Sequence, residues 1–325
     1  MKKNFCLPFN GDVSFTLRYA SAHRDQIYEY YGSDGYFITG RNGGKVTKND
    51  FIDMILNLQE LGIGFNYLLN ALNIEEYIRN EDEIMRHLRE LKQLGLEYIT
   101  IAHPSFVKKL HDIGFKTATS LVQNLYALQE IEWAEAIGYD RIICSDDLNR
   151  EYWTLKQIIL EQEKPIEIIL NNICIPFCPF RHSHYGFDGR LNTDVRYKFK
   201  KKDIVLCRSI WEQDPVSFLK SGWIRPEEVE KYYEIGVSYF KIAGRNYTSE
   251  NLEKLQDIYL SGHYDGYVFD YLKPGIDPQQ KYNLKNIKNK DLDDYFFYFF
   301  NSPETGCKHQ CKKCNYCEKV MERLL

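Results

Sequence analysis

Apolar positions along the chain follow two periods. Short runs rich in β-branched and aromatic residues, "FCLPF" (5–9), "GYFIT" (35–39), "FNYLL" (65–69), "EYITIAH" (97–103), "KTATSLV" (116–122), "DRIICS" (140–145), "IEIILNN" (166–172) and "YFKIAG" (239–244), read as eight strands. Between them, residues 48–62, 81–95 and 123–138 carry apolar residues three and four apart and end at Gly62, Gly95 and Gly138, the pattern of amphipathic helices with glycine C-caps. Strand followed by helix is the repeating rhythm. A parallel strand needs a crossover, and the crossover helix covers the outside of the sheet, so the fold class predicted is α/β, a (β/α)8 TIM-like barrel. A doubly wound open sheet is the structural alternative, but no glycine-rich phosphate loop follows the first strand.

The rhythm breaks after the seventh strand, where a cysteine-rich insertion, 173–235, precedes the eighth. Long excursions from a barrel usually carry function. The expected organisation is therefore a barrel over 1–265 that includes this insertion, then a C-terminal extension over 266–325. The extension holds an aromatic run, Tyr295 to Phe300, and ends in "GCKHQCKKCNYC".

With 44% hydrophobic and 27% charged residues the chain has ample material for a core, and disorder is not the default. Its net charge of -4 provides no general field favouring nucleic acid. The N-terminal lysines precede no apolar signal region, and no apolar run reaches the roughly 18 residues of a membrane span. A cytoplasmic protein without membrane partners is expected. In a reducing compartment nine cysteines point to metal or redox chemistry before a disulfide framework.

Cys307, Cys311, Cys314 and Cys317 follow the spacing C-x3-C-x2-C-x2-C, short enough for the chain to wrap one metal centre. The intervals are those of a ferredoxin-type run in reverse, which favours a 4Fe-4S cluster. Zinc is the alternative for the tail. Another constellation begins where the seventh strand ends: Cys174 and Cys178 form a C-x3-C-P unit, and Cys207 lies in the same insertion. One or two clusters are expected from these seven cysteines. Cys6 and Cys144 read as small core residues. Arg181, Arg190 and Arg208 suit an anionic substrate through bidentate pairing, Asn171 stands at a strand end, and His182 and His184 are proton carriers or hydrogen-bonding groups. Asn70, His103, Ser120 and Asn172 also stand at strand ends, where barrel active sites lie.

The segments "NNICIPFCPFRHSHY" and "GVSYFKIAGR" resemble peptidase family U32, the collagenase-like proteases. "GVSYFKIAGR" is similar to that family's Phe-Lys-Ile-Glu-Gly-Arg stretch, with Ala243 in place of the glutamate, and Cys174 and Cys178 resemble its cluster-binding pair. The resemblance implies a barrel with an oxygen-sensitive 4Fe-4S cluster. Members of the family serve oxygen-independent hydroxylation of ubiquinone and of RNA bases, some with prephenate as oxygen source, and others are peptidases. The expectation is an iron-sulfur enzyme of oxygen-independent hydroxylation or a related modification, acting on a small molecule, RNA or peptide and served by an electron donor or protein partner. His182, His184 and Arg245 are its catalytic candidates, and Arg181, Arg208 and Asn171 its substrate contacts. The alternatives are a U32-type peptidase and a non-enzymatic, zinc-binding scaffold for a partner protein. No H-E-x-x-H helix or G-x-S-x-G elbow supports hydrolysis.

Overall fold

The computed structural model describes residues 3–37, 39–40, 44–190, 207–282, 284–292 and 294–324. Eight parallel strands form the sheet: β1 (Asn4–Pro8), β2 (Ile27–Gly32), β3 (Gly64–Leu69), β4 (Tyr98–Ile101), β5 (Lys116–Ala118), β6 (Ile142–Ile143), β7 (Ile166–Ile169) and β8 (Tyr239–Lys241). Their order is β5-β4-β3-β2-β1-β8-β7-β6. The two ends meet through a parallel bridge between Ala118 and Arg141, where Thr119 N donates to Arg141 O (3.0 Å) and Arg141 N to Thr117 O (3.2 Å). The sheet is thus a nearly closed barrel, and the expected (β/α)8 architecture is present.

Seven of the eight strands coincide with runs read from the sequence, and β2 does not. The residues expected as the strand after β1, 35–39, begin a turn at Gly35 (φ +81°), and the Asp34 side chain accepts from Tyr36 N (3.0 Å). The strand is the earlier run "IYEYYG", reached from β1 through a helix, Val13–His23, whose first turn is capped by Asp12 (Phe15 N to Asp12 Oδ1, 2.9 Å). Glu29 inside that run hid its strand character, because it faces the barrel interior instead of water.

Alternation along each strand sorts the side chains. Phe5, Leu7, Tyr30, Phe65, Tyr67, Ile142, Ile168 and Phe240 join the main hydrophobic core, while Cys6, Tyr31 and Leu68 form a separate inner cluster. The crossover helices supply the other half of the main core. Lys48–Glu60, capped by Thr47, buries Phe51, Met54, Ile55 and Leu58, and Glu81–Gln93 buries Ile84, Met85, Leu88 and Leu91. After β8 the helix Ser249–Ser261 ends at Gly262 (φ +69°), and the chain continues through Val268–Leu272, Pro278–Tyr282, Asp294–Asn301, Cys311–Cys314 and Tyr316–Leu324. Phe296, Phe297, Phe300, Tyr316, Val320 and Met321 of this extension are buried in the same core as the barrel. No described helix is long and apolar enough to cross a membrane.

Candidate functional site

The barrel interior beneath its C-terminal mouth is filled by charge. Arg141 reaches in from the start of β6 and pairs with Glu29 through both terminal nitrogens (2.6 and 3.1 Å), while Nη1 also meets Glu167 (3.0 Å). Its guanidinium carbon lies 3.9 Å from the Tyr239 ring centre and 4.3 Å from that of Tyr98. Glu167 passes the network upward to Lys241 Nζ (3.0 Å), and Asn66 and Thr100 complete the hydrogen bonds on the Glu29 side. Burial alone would raise Glu167, but Lys241 and Arg141 hold its carboxyl below the usual range. Cys6, Glu29 and Glu167 bring potential ligand atoms within 4.8 Å of one another, yet the Arg141 guanidinium already sits between them. The group is a closed ionic network, and its centre is taken by a cation.

Above this layer lies a cavity of about 90 Å³, reached by Lys241 from its floor. Arg245, Asn70, Ser120, Asn172 and Tyr185 also line it. Lys241 also sits over the Tyr31 ring (4.0 Å), and Asn70 holds Ser120 Oγ (3.1 Å). The described lining contains two cations and no carboxylate, histidine or cysteine. Such a chamber suits an anion and offers no evident nucleophile–base pair.

Another cavity, about 220 Å³, lies in the C-terminal extension, and all four tail cysteines line it. Its far wall is Phe299, Phe300 and Tyr316, with Phe299 stacked on Tyr316 at 3.8 Å between ring centres. His309 (φ +52°) ties it to the barrel by donating from Nε2 to Asp147 O (3.2 Å) and by meeting the Phe177 ring edge-on at 4.8 Å. Burial pushes the Cys307 thiol up to about 11 and the Cys317 thiol up to about 12, and nearby Arg150 opposes both shifts. Both are protonated at neutral pH, so a metal bound there would have to displace the proton.

The donors fit a metal–thiolate centre, and Arg150 supplies an independent sign of one. Only 1% exposed, it stacks on Trp223, Phe296 and Phe300 (4.8, 4.9 and 4.5 Å), and its Nε donates to Ser221 O (2.9 Å). Its Nη1 and Nη2 meet no hydrogen-bond partner among the described residues. In a tetrahedral zinc site, with Zn–S near about 2.3 Å, the sulfurs stand roughly 3.8 Å apart. No three of the tail sulfurs lie within 4.8 Å of one another.

No family model matches the chain. An uncharacterized protease of Methanocaldococcus jannaschii is 24% identical over 250 residues, covering 73% of this chain and 68% of that protein. The structure of the U32 peptidase Mk0906 aligns with a TM-score of 0.53 at 12% identity, over 75% of this chain and 93% of that one. The barrel is similar in fold to that of a U32 peptidase. A tryptophan synthase of Pyrococcus furiosus aligns less well, with a TM-score of 0.45 at 10% identity over 80% of this chain and 92% of that one.

Within the U32-like frame the expected site residues fall into three groups. Cys307, Cys311, Cys314 and Cys317 share one cavity, and Arg245 lines the mouth. Cys174, Cys178 and Cys207 line neither cavity; Cys174 Sγ lies 3.5 Å from Asn172 Oδ1, and Cys207 begins the helix Cys207–Gln213. The remaining polar candidates are largely committed to the fold. Arg181 grips both Asp147 oxygens (2.8 and 2.9 Å), Asp146 (3.1 Å), Asn124 (2.6 Å) and Ile175 O (3.1 Å), so it clamps the insertion to the turn after β6 where an anion contact was expected. Asn171 brackets the Ala243 backbone (2.7 and 2.9 Å), extending the β7–β8 pairing by a side chain. His182 is exposed, whereas Tyr185 on the same helix, Arg181–Arg190, reaches the cavity; the His184 ring stacks 6.1 Å from Tyr185. His103 donates to Ala71 O (2.8 Å), and burial lowers its pKa. The side chains of Arg190 and Arg208 lie outside the described residues.

Three residues that shape these cavities and the ionic layer escape the sequence reading: Lys241, Arg141 and Arg150. For Lys241 and Arg141 a signal existed, a lone charge inside an apolar strand run, which in a barrel points inward. "DDLNREYW" gives no comparable sign that Arg150 is buried.

Proposed function

We propose that this U32-like chain is an enzyme that binds an anionic substrate in the barrel mouth and carries a metal–thiolate centre, iron-sulfur in preference to zinc, in the tail cavity. The observation that carries the proposal is the convergence of four cysteines on one cavity beside a buried arginine with two unpartnered nitrogens. Cys307, Cys311, Cys314 and Cys317 would hold the centre. A 4Fe-4S cluster bound there supplies one-electron chemistry, compatible with oxygen-independent hydroxylation or a related modification. Lys241, held by Glu167, and Arg245 orient the anion, and Tyr185 roofs it.

Metal and sulfide analysis of protein purified without oxygen tests this reading. About four irons per chain with matching sulfide support it, and about eight would assign a further cluster to Cys174, Cys178 and Cys207. One zinc and no iron would replace it with the scaffold reading. The name of the archaeal relative favours another reading, peptide hydrolysis. Cleavage of peptide substrates by the wild-type protein, lost in Lys241→Met, would establish the peptidase in its place.

A further inference from the structure

A buried charge without a partner is costly, and folded proteins retain one only where something compensates it. Arg150 is a buried charge whose Nη1 and Nη2 meet no hydrogen-bond partner among the described residues. It ends the turn Asp146–Arg150, and its guanidinium lies over Phe300, a ring that forms the wall of the cysteine cavity. Cys307 and Cys317 lie within its electrostatic reach, as do Glu228, Tyr232 and Tyr316. Of these only Glu228 is a carboxylate; it faces Arg225, accepting from Arg225 N (3.0 Å) with Oε1 3.9 Å from Arg225 Nη1, and burial raises its pKa toward the neutral form against the opposing fields of Arg225 and Arg150. Of the lysines lining the cavity, Lys220 is paired with Glu318 (2.8 Å), and Lys308 and Lys313 are exposed to solvent. Arg150 is therefore the buried cation beside the cavity whose terminal nitrogens meet no carboxylate among the described residues.

We propose that Arg150 is the built-in counter-cation of an anionic metal–thiolate centre in the tail cavity, so that loading the centre and neutralising a buried charge are one event. The proposal rests on the reading that the four tail cysteines bind metal, and it holds for either metal. Four thiolates around Zn²⁺, or around an oxidised 4Fe-4S core, carry a net charge of about -2. Arg150 touches the ligands' surroundings instead of the metal. Groups in that position commonly change metal affinity by roughly tenfold to a hundredfold.

The test compares wild type, Arg150→Met and Arg150→Lys, each as purified anaerobically and after stripping with EDTA, with metal content and thermal midpoint measured on every sample. Metal should leave Arg150→Met at least about tenfold faster than wild type under the same chelator, and Arg150→Lys should recover most of the difference. In stripped protein the order should invert, with Arg150→Met melting above wild type because the unpaired charge is gone. Equal release rates, or a stripped Arg150→Met that melts as far below wild type as the loaded one does, would make Arg150 a packing residue and overturn the proposal. Wild type purified without any metal would instead sink the metal reading, a result visible before any variant is compared.

Discussion

Arg141 is the residue on which the barrel interior turns. Arg141→Met leaves Glu29 and Glu167 as buried carboxylates facing each other, and breaking a buried ion pair from one side costs about 3–5 kcal/mol. Urea unfolding should register a loss of that size, and a loss below about 1 kcal/mol would mean that water reaches the network. Asp34 offers a pH-dependent counterpart. Burial opposes its ionisation, but His87 at 3.0 Å, the Tyr36 N–H and the Tyr67 hydroxyl hold its carboxyl below the usual range. A depressed carboxyl contributes stability that is fully present above its unfolded value, about 3.9, and lost as pH falls through its folded value. Thermal midpoints measured from pH 7 down to pH 3 should therefore fall more steeply in wild type than in Asp34→Asn, and parallel curves would remove Asp34 from the acid response. Much of this scale was legible in the sequence. The tail cysteines declared themselves by spacing, whereas Arg181 resembled an anion ligand because sequence shows a guanidinium but not the Asp146 and Asp147 that meet it.

Among the elements, the turn Asp146–Arg150 joins the insertion, the seventh strand and the tail. Asp146 and Asp147 hold Arg181 and Asn172, Asn149 donates to Ile169 O (2.8 Å) and Gly222 O (2.6 Å), and Asp147 O accepts from His309 of the tail. Gly222 lets the turn seat so closely that an added Cβ would stand 1.9 Å from Asp146 O. Gly222→Ala should cost about 1–3 kcal/mol and, by shifting the turn, lower metal retention as well. Unchanged stability in chemical denaturation would mean the two backbones separate freely. Strand and helix periods made most elements readable, but not β2, where Glu29 inside "IYEYYG" gives an inward-facing strand the character of a surface one. This turn was equally hidden, since its order comes from contacts distant in sequence.

At the scale of the whole molecule, barrel and extension share one core, while the cysteine cavity lies at the end of the chain among exposed lysines. Stripping the metal should leave far-ultraviolet circular dichroism nearly unchanged and open Lys308, Lys312 and Lys313 to trypsin. Resistance equal to that of the loaded protein would show that the aromatic contacts hold the tail without metal. The barrel as a class could be read from strand–helix alternation, but its closure by Ala118 and Arg141 and the charge inside it are products of tertiary pairing.

The ionic layer around Arg141 also has a kinetic meaning. Because Arg141, Glu29 and Glu167 are essentially sealed, the chamber above Lys241 has no exit through the bottom of the barrel. Under the proposed function, substrate and product would use the same doorway beside Tyr185, so each turnover would wait for the chamber to empty, and product accumulating in solution would compete directly with the next substrate for the way in.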